Sequence, residues 1–270
     1  MKIIVNGAIF TPAERKLFVE TVKVQFTNNK GLTLSGYMDM PENGIPIAYA
    51  VFAHCFTCSK DLKAIGNIDF SLAKEGIAVL RFDFTGIGES EGEFSDSNYS
   101  DYMNDLISSA EFLSSNYKAP KVLIGHSLGG CIAIESAEKI PSVNAVIVIG
   151  TPAEPSKLSA KLRRTKEKAE SEGIAETEIG GIKYKFKKQF FEDLGNHRLE
   201  PYIKNLGKPL MVMHSPVDAY TPFEEGKKIF ETAGNPKNFI TLDNVDHLML
   251  NKDDALYTGR VIAAWVKKYI

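Results

Sequence analysis

The stretch Lys121–Ile134, K-V-L-I-G-H-S-L-G-G-C-I-A-I, decides how the chain is read. Val122 to Ile124 form a short apolar run suited to a buried strand, and Ile132, Ala133 and Ile134 read as the inner face of a following helix. Between them, Gly125-His126-Ser127-Leu128-Gly129 satisfies the pattern G-x-S-x-G. A serine on a very sharp strand-to-helix turn needs glycine two residues before and after it, because a Cβ there would strike neighbouring backbone. Such a turn lifts the Ser127 hydroxyl above the sheet and sets it at a helix N-terminus, where N–H groups favour developing negative charge. The bare pattern also arises on ordinary Gly-rich loops. The strand before it and the helix after it are the context that separates the two readings.

Outward from this stretch the pattern repeats. Towards the N-terminus, Ala78 to Phe84 and Ile47 to Ala53 are continuous apolar runs, as expected of strands covered on both faces. Each is followed by a helical segment: about Asp61 to Glu75 with a stop at Gly76, and Tyr99 to Asn116 with Tyr102, Leu106, Ala110 and Leu113 at helical spacing. Further out, Val22 to Phe26 and Leu32 to Met40 alternate around Asn28-Asn29-Lys30-Gly31, which supplies hairpin turn chemistry. Towards the C-terminus, Ala145 to Ile149, Pro209 to Met213 and Phe239 to Leu242 read as strands, with helices over Phe223 to Ala233 and Asp254 to Tyr269. Alternating strands and helices imply a mostly parallel, doubly wound α/β sheet with right-handed crossovers and helices on both faces.

One interval breaks the rhythm. About sixty residues separate Ile149 from Pro209, far more than a crossover requires, so residues 151–205 are expected to be a lid or cap inserted over the carboxyl edge of the sheet. Lys157 to Glu172 reads there as one charged helix, Glu178 to Phe186 as a small hairpin turning at Gly180-Gly181, and the following residues through Leu194 as a helix. The expected organisation is a single domain over 1–270 containing this insertion.

Composition excludes some classes of function. The chain has 270 residues, 44% of them apolar, and a net charge of -2, as in an ordinary globular enzyme-sized protein. No long basic run with interleaved aromatics points to nucleic acid, and no stretch approaches the ~20 apolar residues of a membrane span. The N-terminal apolar run is broken at Asn6 and Gly7, too early for a signal peptide core. Three cysteines cannot all pair, which points to a reducing, cytoplasmic setting.

A serine hydroxyl is a weak nucleophile until a histidine takes its proton, and that histidine needs a carboxylate to hold its tautomer. Candidates must lie on loops at strand C-termini. His214-Ser215-Pro216-Val217-Asp218 follows one such strand and Asp243-Asn244-Val245-Asp246-His247 follows the next. Asp218 and His247 therefore follow Ser127 in the order nucleophile, acid, histidine. His214 reads as a structural hydrogen-bonder, His197 lies in the insertion, and His126 neighbours the nucleophile with its side chain directed elsewhere. Asp243 and Asp246 are too near His247 in the chain to reach it easily. Acyl transfer also needs oxyanion donors, which are the backbone N–H of Leu128 and, from the loop after an early strand, of Phe56.

Taken together, H-C-F-T-C-S-K-D (His54 to Asp61), R-F-D-F-T-G-I-G-E-S (Arg81 to Ser90) and I-G-H-S-L-G-G (Ile124 to Gly130) resemble the α/β-hydrolases. Within that superfamily they resemble the branch often fused to an OsmC-like peroxide-reducing domain. The first segment is the more specific, since most relatives carry His-Gly there. The resemblance spans about Val22 to the C-terminus. It implies the α/β-hydrolase fold, the triad Ser127, Asp218 and His247, and a serine hydrolase of esterase type, stand-alone because the chain ends after the closing helix. The expected partner is a small-molecule ester, with no cofactor, metal, nucleic acid or membrane. A homo-oligomer is compatible with the sequence, and a separate OsmC-like protein is a speculative partner. Other readings are a cofactor-free lyase or perhydrolase on the same triad, and a non-catalytic or dithiol redox-associated module.

The remaining signals have plainer readings. Cys55-x-x-Cys58 has dithiol spacing but occupies the oxyanion loop, not a helix start in a thioredoxin-like context. Cys131 reads as a small core residue behind Ser127. Gly86-Ile87-Gly88 lacks the third glycine of a nucleotide loop, and Glu89 would repel phosphate. From Lys157 to Lys188 there are ten Lys or Arg against five Glu, while Phe82 to Tyr117 carries acids and no Lys or Arg. That contrast suggests a basic lid approaching an acidic loop.

Overall fold

The computed structural model describes residues 3–5, 8–10, 19–42 and 44–270. Near the N-terminus, β1 (Ile3–Val5) pairs antiparallel with β2 (Ala8–Phe10), apart from the main sheet. The expected hairpin is β3 (Glu20–Thr27) and β4 (Thr33–Met40). Its turn is set by Asn28, whose side-chain oxygen accepts from the N–H of Lys30 and of Leu32, each at 3.0 Å.

The alternation then runs β5 (Ala48–Ala53), α1 (Lys63–Lys74), β6 (Ile77–Phe82), α2 (Tyr99–Asn116), β7 (Val122–His126), α3 (Leu128–Ser136) and β8 (Ala145–Ile149). Between β8 and the next sheet strand lie α4 (Lys157–Lys161), α5 (Arg163–Glu172), β9 (Ile174–Ile179), β10 (Ile182–Lys187), α6 (Lys188–Asn196) and α7 (Glu200–Lys204). The chain closes with β11 (Leu210–His214), α8 (Phe223–Thr232), β12 (Lys237–Thr241) and α9 (Lys252–Val266). The eight-stranded sheet has the order β12-β11-β8-β7-β5-β6-β4-β3. It is parallel from β12 to β6 and antiparallel where β4 joins β6 and β3 joins β4.

Strands β5, β6, β7, β8 and β11 are buried along their whole length because each face of the sheet has its own core. Val51, Leu80, Leu123, Val148 and Val212 face the side covered by α2, α3 and α8. Phe52, Val79, Ile124, Ile147 and Met213 face the side covered by α1 and α9. Period-two alternation within all-apolar strands therefore serves two layers at once. Helix α2 starts where Asn98 accepts from the Asp101 N–H, and α9 where Asn251 accepts from the Asp253 N–H. The indole of Trp265 on α9 donates to Asn238 on the edge strand β12 at 2.8 Å.

The segment between β8 and β11 departs from the expected outline in two places. The charged helix is broken at Leu162, which separates α4 from α5 with φ −97° and ψ 25°. A further short helix, α7, follows α6; its five residues with Pro201 in the first turn are too few to show a helical repeat. The hairpin turns at Gly180-Gly181 as expected, with Ile179 opposite Ile182. What joins this segment to the sheet's loops is aromatic. Phe94 meets Tyr184 at 4.7 Å and Phe186 at 5.2 Å between ring centres, and Phe56 meets Phe190 at 5.7 Å. Its basic residues mostly find acids inside the segment itself: Lys166 with Glu170 and Lys168 with Glu172, both at 3.7 Å, and Lys183 with Glu176 at 3.3 Å. Lys187 with Asp96 bridges to the loop before α2.

Candidate functional site

The loops at the carboxyl ends of β5, β7, β8, β11 and β12 meet on one edge of the sheet. Ser127 sits between β7 and α3 with φ 56° and ψ −122°, a left-handed conformation that costs a non-glycine residue on the order of 1–3 kcal/mol. Its neighbours enforce the turn. A Cβ on Gly125 would lie 2.3 Å from the Gly129 carbonyl oxygen, and one on Gly129 would lie 2.2 Å from that of Ala53. The Ser127 N–H donates to the Ile149 carbonyl at 2.8 Å, which ties the turn to the end of β8.

Asp218, after β11, and His247, after β12, are brought together: His247 Nδ1 lies 2.7 Å from Asp218 Oδ2. The other carboxylate oxygen of Asp218 accepts from the N–H groups of Tyr220 and Thr221, each at 2.8 Å. Burial alone would raise this carboxyl, but the hydrogen bonds from His247 and the two amides outweigh it and hold the group below its ordinary value. Asp218 thus stays anionic beside the imidazole, which fixes the proton on Nδ1 and leaves Nε2 free to accept one. Gly150 lies alongside: a Cβ there would be 3.2 Å from Asp218 Oδ2 and 3.4 Å from His247 Nδ1.

The other histidines divide as their surroundings dictate. His214 Nε2 lies 2.9 Å from the Thr221 carbonyl and supports the Asp218 loop. His126 points away from the Ser127 hydroxyl, yet it reaches the site: its Nε2 lies 2.8 Å from the His247 carbonyl, and the two rings are 4.9 Å apart. Burial, then the nearby His247, lowers His126 to about 3, so it bonds that carbonyl as a neutral ring donating from Nε2. His197 lies at the C-terminal end of α6, its Nδ1 2.6 Å from Glu135 of α3. Ser100 of α2 donates to Asp193 at 2.7 Å in the same cluster. Burial would lower His197, but Asp193 and Glu135 raise it to about 9. Of the acids beside His247, Asp246 caps the Leu248 and Leu250 N–H groups at 2.9 and 3.0 Å.

A cavity of about 350 Å³ opens beside Ser127. Phe56 and Leu128 line it, as do Pro152, Leu158 and Pro222. Among the described residues, neither the Phe56 N–H nor the Leu128 N–H has a protein acceptor. Five polar or charged wall residues escaped the sequence reading: Lys157, Lys161, Tyr220, Thr221 and Glu225. The insertion's charges read as a basic face towards the acidic loop and not as a cavity wall, whereas Tyr220, two residues past Asp218, is placed by the chain to be near the site. Its ring centre is 5.2 Å from that of His247.

The loop carrying Phe56 holds a correction. Cys55 and Cys58 are joined by a disulfide and Cys131 is the free, buried thiol, so an odd number of cysteines did not exclude pairing. Cys131 packs behind Ser127 as expected, its thiol donating to the Pro152 carbonyl at 3.3 Å. Gly86 and Gly88 lie in a turn beside the buried Lys60, whose ammonium pairs with Asp83 at 2.8 Å and Glu89 at 2.7 Å. Among the described residues, no group of three or more His, Cys, Asp or Glu is placed to hold a metal ion, and no helix is long and apolar enough to cross a membrane.

Residues 62–171 match a family described as serine aminopeptidase, S33. The esterase domain of a Rhodothermus marinus protein superposes with a TM-score of 0.76 at 39% identity, over 93% of this chain and 99% of that one. Est1E from Butyrivibrio proteoclasticus, solved with ferulic acid bound, gives 0.74 at 19% identity over 91% of this chain and 98% of its own. Human mitochondrial palmitoyl-protein thioesterase ABHD10 is 25% identical over 66% of this chain, which spans 60% of that relative's length.

Proposed function

The chain belongs to the α/β-hydrolase superfamily, and from that premise we propose that it is a serine hydrolase cleaving a small carboxylic ester through an acyl-Ser127 intermediate. The observation that carries this reading is the 2.7 Å contact of His247 with Asp218, on loops sharing a sheet edge with a serine in a strained elbow.

In this reading His247 Nε2 takes the proton of Ser127 Oγ as the oxygen attacks the acyl carbon. Asp218 holds the imidazole by Nδ1 and stabilises the imidazolium. The N–H groups of Phe56 and Leu128 receive the oxyanion, and the absence of a protein acceptor for either supports that role. His247 returns its proton to the leaving alcohol. Water, activated by the same histidine, then releases the acid and frees Ser127. The cavity's apolar walls suit a short alkyl or aryl acyl group, and a cavity of about 350 Å³ limits its size. Thioesters enter the same reading, because they react through the same acyl-serine and a curated relative is named for that activity.

The segment over 151–205 acts as a lid in this proposal, its α4 forming one wall of the cavity through Lys157, Leu158 and Lys161. The small ester is the partner required, and the Cys55–Cys58 disulfide removes the cysteine argument for a reducing, cytoplasmic setting. A fluorophosphonate probe tests the reading. Native protein should be labelled and Ser127→Ala should not, with hydrolysis of 4-nitrophenyl acetate lost in parallel; equal labelling of both would remove the claim of an activated serine.

A further inference from the structure

The disulfide in the Phe56 loop has no part in the acyl-transfer scheme, yet it brackets one of that scheme's groups. Cys55 is buried and Cys58 half-buried, and the two residues between their linked sulfurs are Phe56 and Thr57. The ends of this loop are anchored. His54 Nδ1 lies 2.8 Å from the Cys55 carbonyl, and the Lys60 N–H donates to Asp83 at 2.7 Å. The tip is not anchored in the same way. The Cys58 N–H donates to the Cys55 carbonyl at 3.1 Å, and Thr57 stands at φ 58°, a conformation that an L-residue leaves when released.

We infer that the Cys55–Cys58 disulfide positions the Phe56 N–H for the oxyanion, so that its reduction disarms the site; this rests on the serine-hydrolase reading above. Reduction removes the covalent link across a four-residue turn and so frees Thr57 to leave its positive φ. The Phe56 amide rides on that turn. A displacement of about 1 Å in a reacting geometry costs as much as 10²-fold in rate, and loss of an oxyanion donor about 10²–10³-fold. The turn's other contacts tie it to the insertion, through the Tyr184 hydroxyl donating to the Thr57 carbonyl at 3.2 Å and the Phe56 ring against Phe186 and Phe190.

The chemistry balances with a dithiol as reductant. A thiolate of the dithiol attacks the more accessible Cys58 Sγ, the S–S bond breaks, and Cys55 leaves as thiolate and takes a proton. The second thiol of the reductant then displaces Cys58 from the mixed disulfide and closes its own disulfide. The protein gains two electrons and two protons, which the dithiol loses.

The test compares oxidised protein with protein reduced by dithiothreitol, the redox state being verified by thiol titration after unfolding. The expected result is a kcat for 4-nitrophenyl acetate lower by about 10- to 100-fold on reduction, with KM within about threefold and full recovery on reoxidation. Fluorophosphonate labelling should slow by a similar factor, because the probe's phosphoryl oxygen occupies the same donors. Cys131→Ser should keep the response. Cys58→Ser should show the low kcat permanently and ignore the reductant; if this variant fails to fold, the reversible response of the wild-type protein still decides. Unchanged kcat in protein shown to carry two additional free thiols would overturn the inference, as would a reductant response that persists in Cys58→Ser. Failure of the serine-hydrolase reading looks different: the oxidised protein would then neither label nor turn over ester.

Discussion

The edge of the sheet and the insertion above it are built on different principles. At the sheet edge the loops after β5, β7, β8 and β11 leave strands whose residues are buried on both faces, and the His247 loop leaves the half-buried edge strand β12, so each loop's starting point and direction are fixed by the ladder. A Cβ at Gly125 or Gly129 would come within 2.2–2.3 Å of a carbonyl oxygen, which leaves the elbow one backbone path. The insertion has no such frame. It rests on rings from two layers, Phe56 and Phe94 below and Tyr184, Phe186 and Phe190 above, on an ionic tether from His197 to Glu135, and on the more exposed pairs of Lys187 with Asp96 and Lys157 with Glu225. Its remaining charges are spent on one another at the surface. The strained elbow is held by backbone, and the insertion is held by side chains.

The sharpest break in this comparison is at the sheet edge. Ser127→Ala or His247→Ala should lower kcat by about a millionfold and Asp218→Asn by about ten-thousandfold, as in triads whose members act as a unit. Proteolytic sensitivity of the insertion should stay that of the native protein. Near-normal turnover in Asp218→Asn would mean that another acid orients His247.

Cutting the aromatic joint should have the reverse signature. Phe190 is 2% exposed, and truncating a buried phenylalanine generally costs about 3–5 kcal/mol. Phe190→Ala should raise KM several-fold and speed limited proteolysis within 157–187 by about tenfold or more, with kcat falling by less than about threefold. A kcat that falls as far as in Asp218→Asn would show that the insertion also shapes the reacting geometry.

The tether gives a smaller effect, resolved by pH. The folded-state pKa of His197 is raised to about 9, by Asp193 and Glu135 against the effect of burial. The stability it contributes is therefore fully present below the unfolded value of about 6.5 and is lost as pH rises through about 9. Against His197→Asn, the native protein should be more stable by about 2 kcal/mol at pH 6, and the two should converge by about pH 10. Parallel denaturation midpoints across that range would show that the cluster does not hold a proton.

The smallest change belongs to the exposed charges. Lys166 and Lys168 face acids one turn away on their own helix, and exposed pairs of this type are worth less than about 1 kcal/mol. Reversing both to Glu should move KM by less than about twofold at any salt concentration. A shift matching that of Phe190→Ala would mean that the insertion is held by charge after all.

The same contrast explains what could be read from the chain. The order of strands and helices was legible because each buried strand announces itself as an apolar run, and Ser127 because its turn demands glycine at 125 and 129. That Asp218 and His247 meet was legible from topology, one loop beyond each of two sheet strands. The insertion's elements were legible in part, since its hairpin carries a Gly-Gly turn. Its attachment was not, because Phe94, Tyr184 and Phe190 are far apart in sequence and acquire meaning only when packed. The basic composition of Lys157–Lys188 suggested an ionic attachment, yet composition does not say which acid each lysine meets. The sequence places His197 in the insertion but does not reveal its ionic partners, although Asp193 stands four residues before it.

The lone tryptophan has a practical consequence. Trp265 is bound to Asn238 on β12, the edge strand of the sheet, and is absent from the aromatic joint. Intrinsic emission excited at the red edge of the ultraviolet band will therefore track melting of that edge and stay silent while the insertion moves. Phe190→Trp in a Trp265→Phe background would reverse the assignment and give any movement of the insertion a spectroscopic signal separable from unfolding.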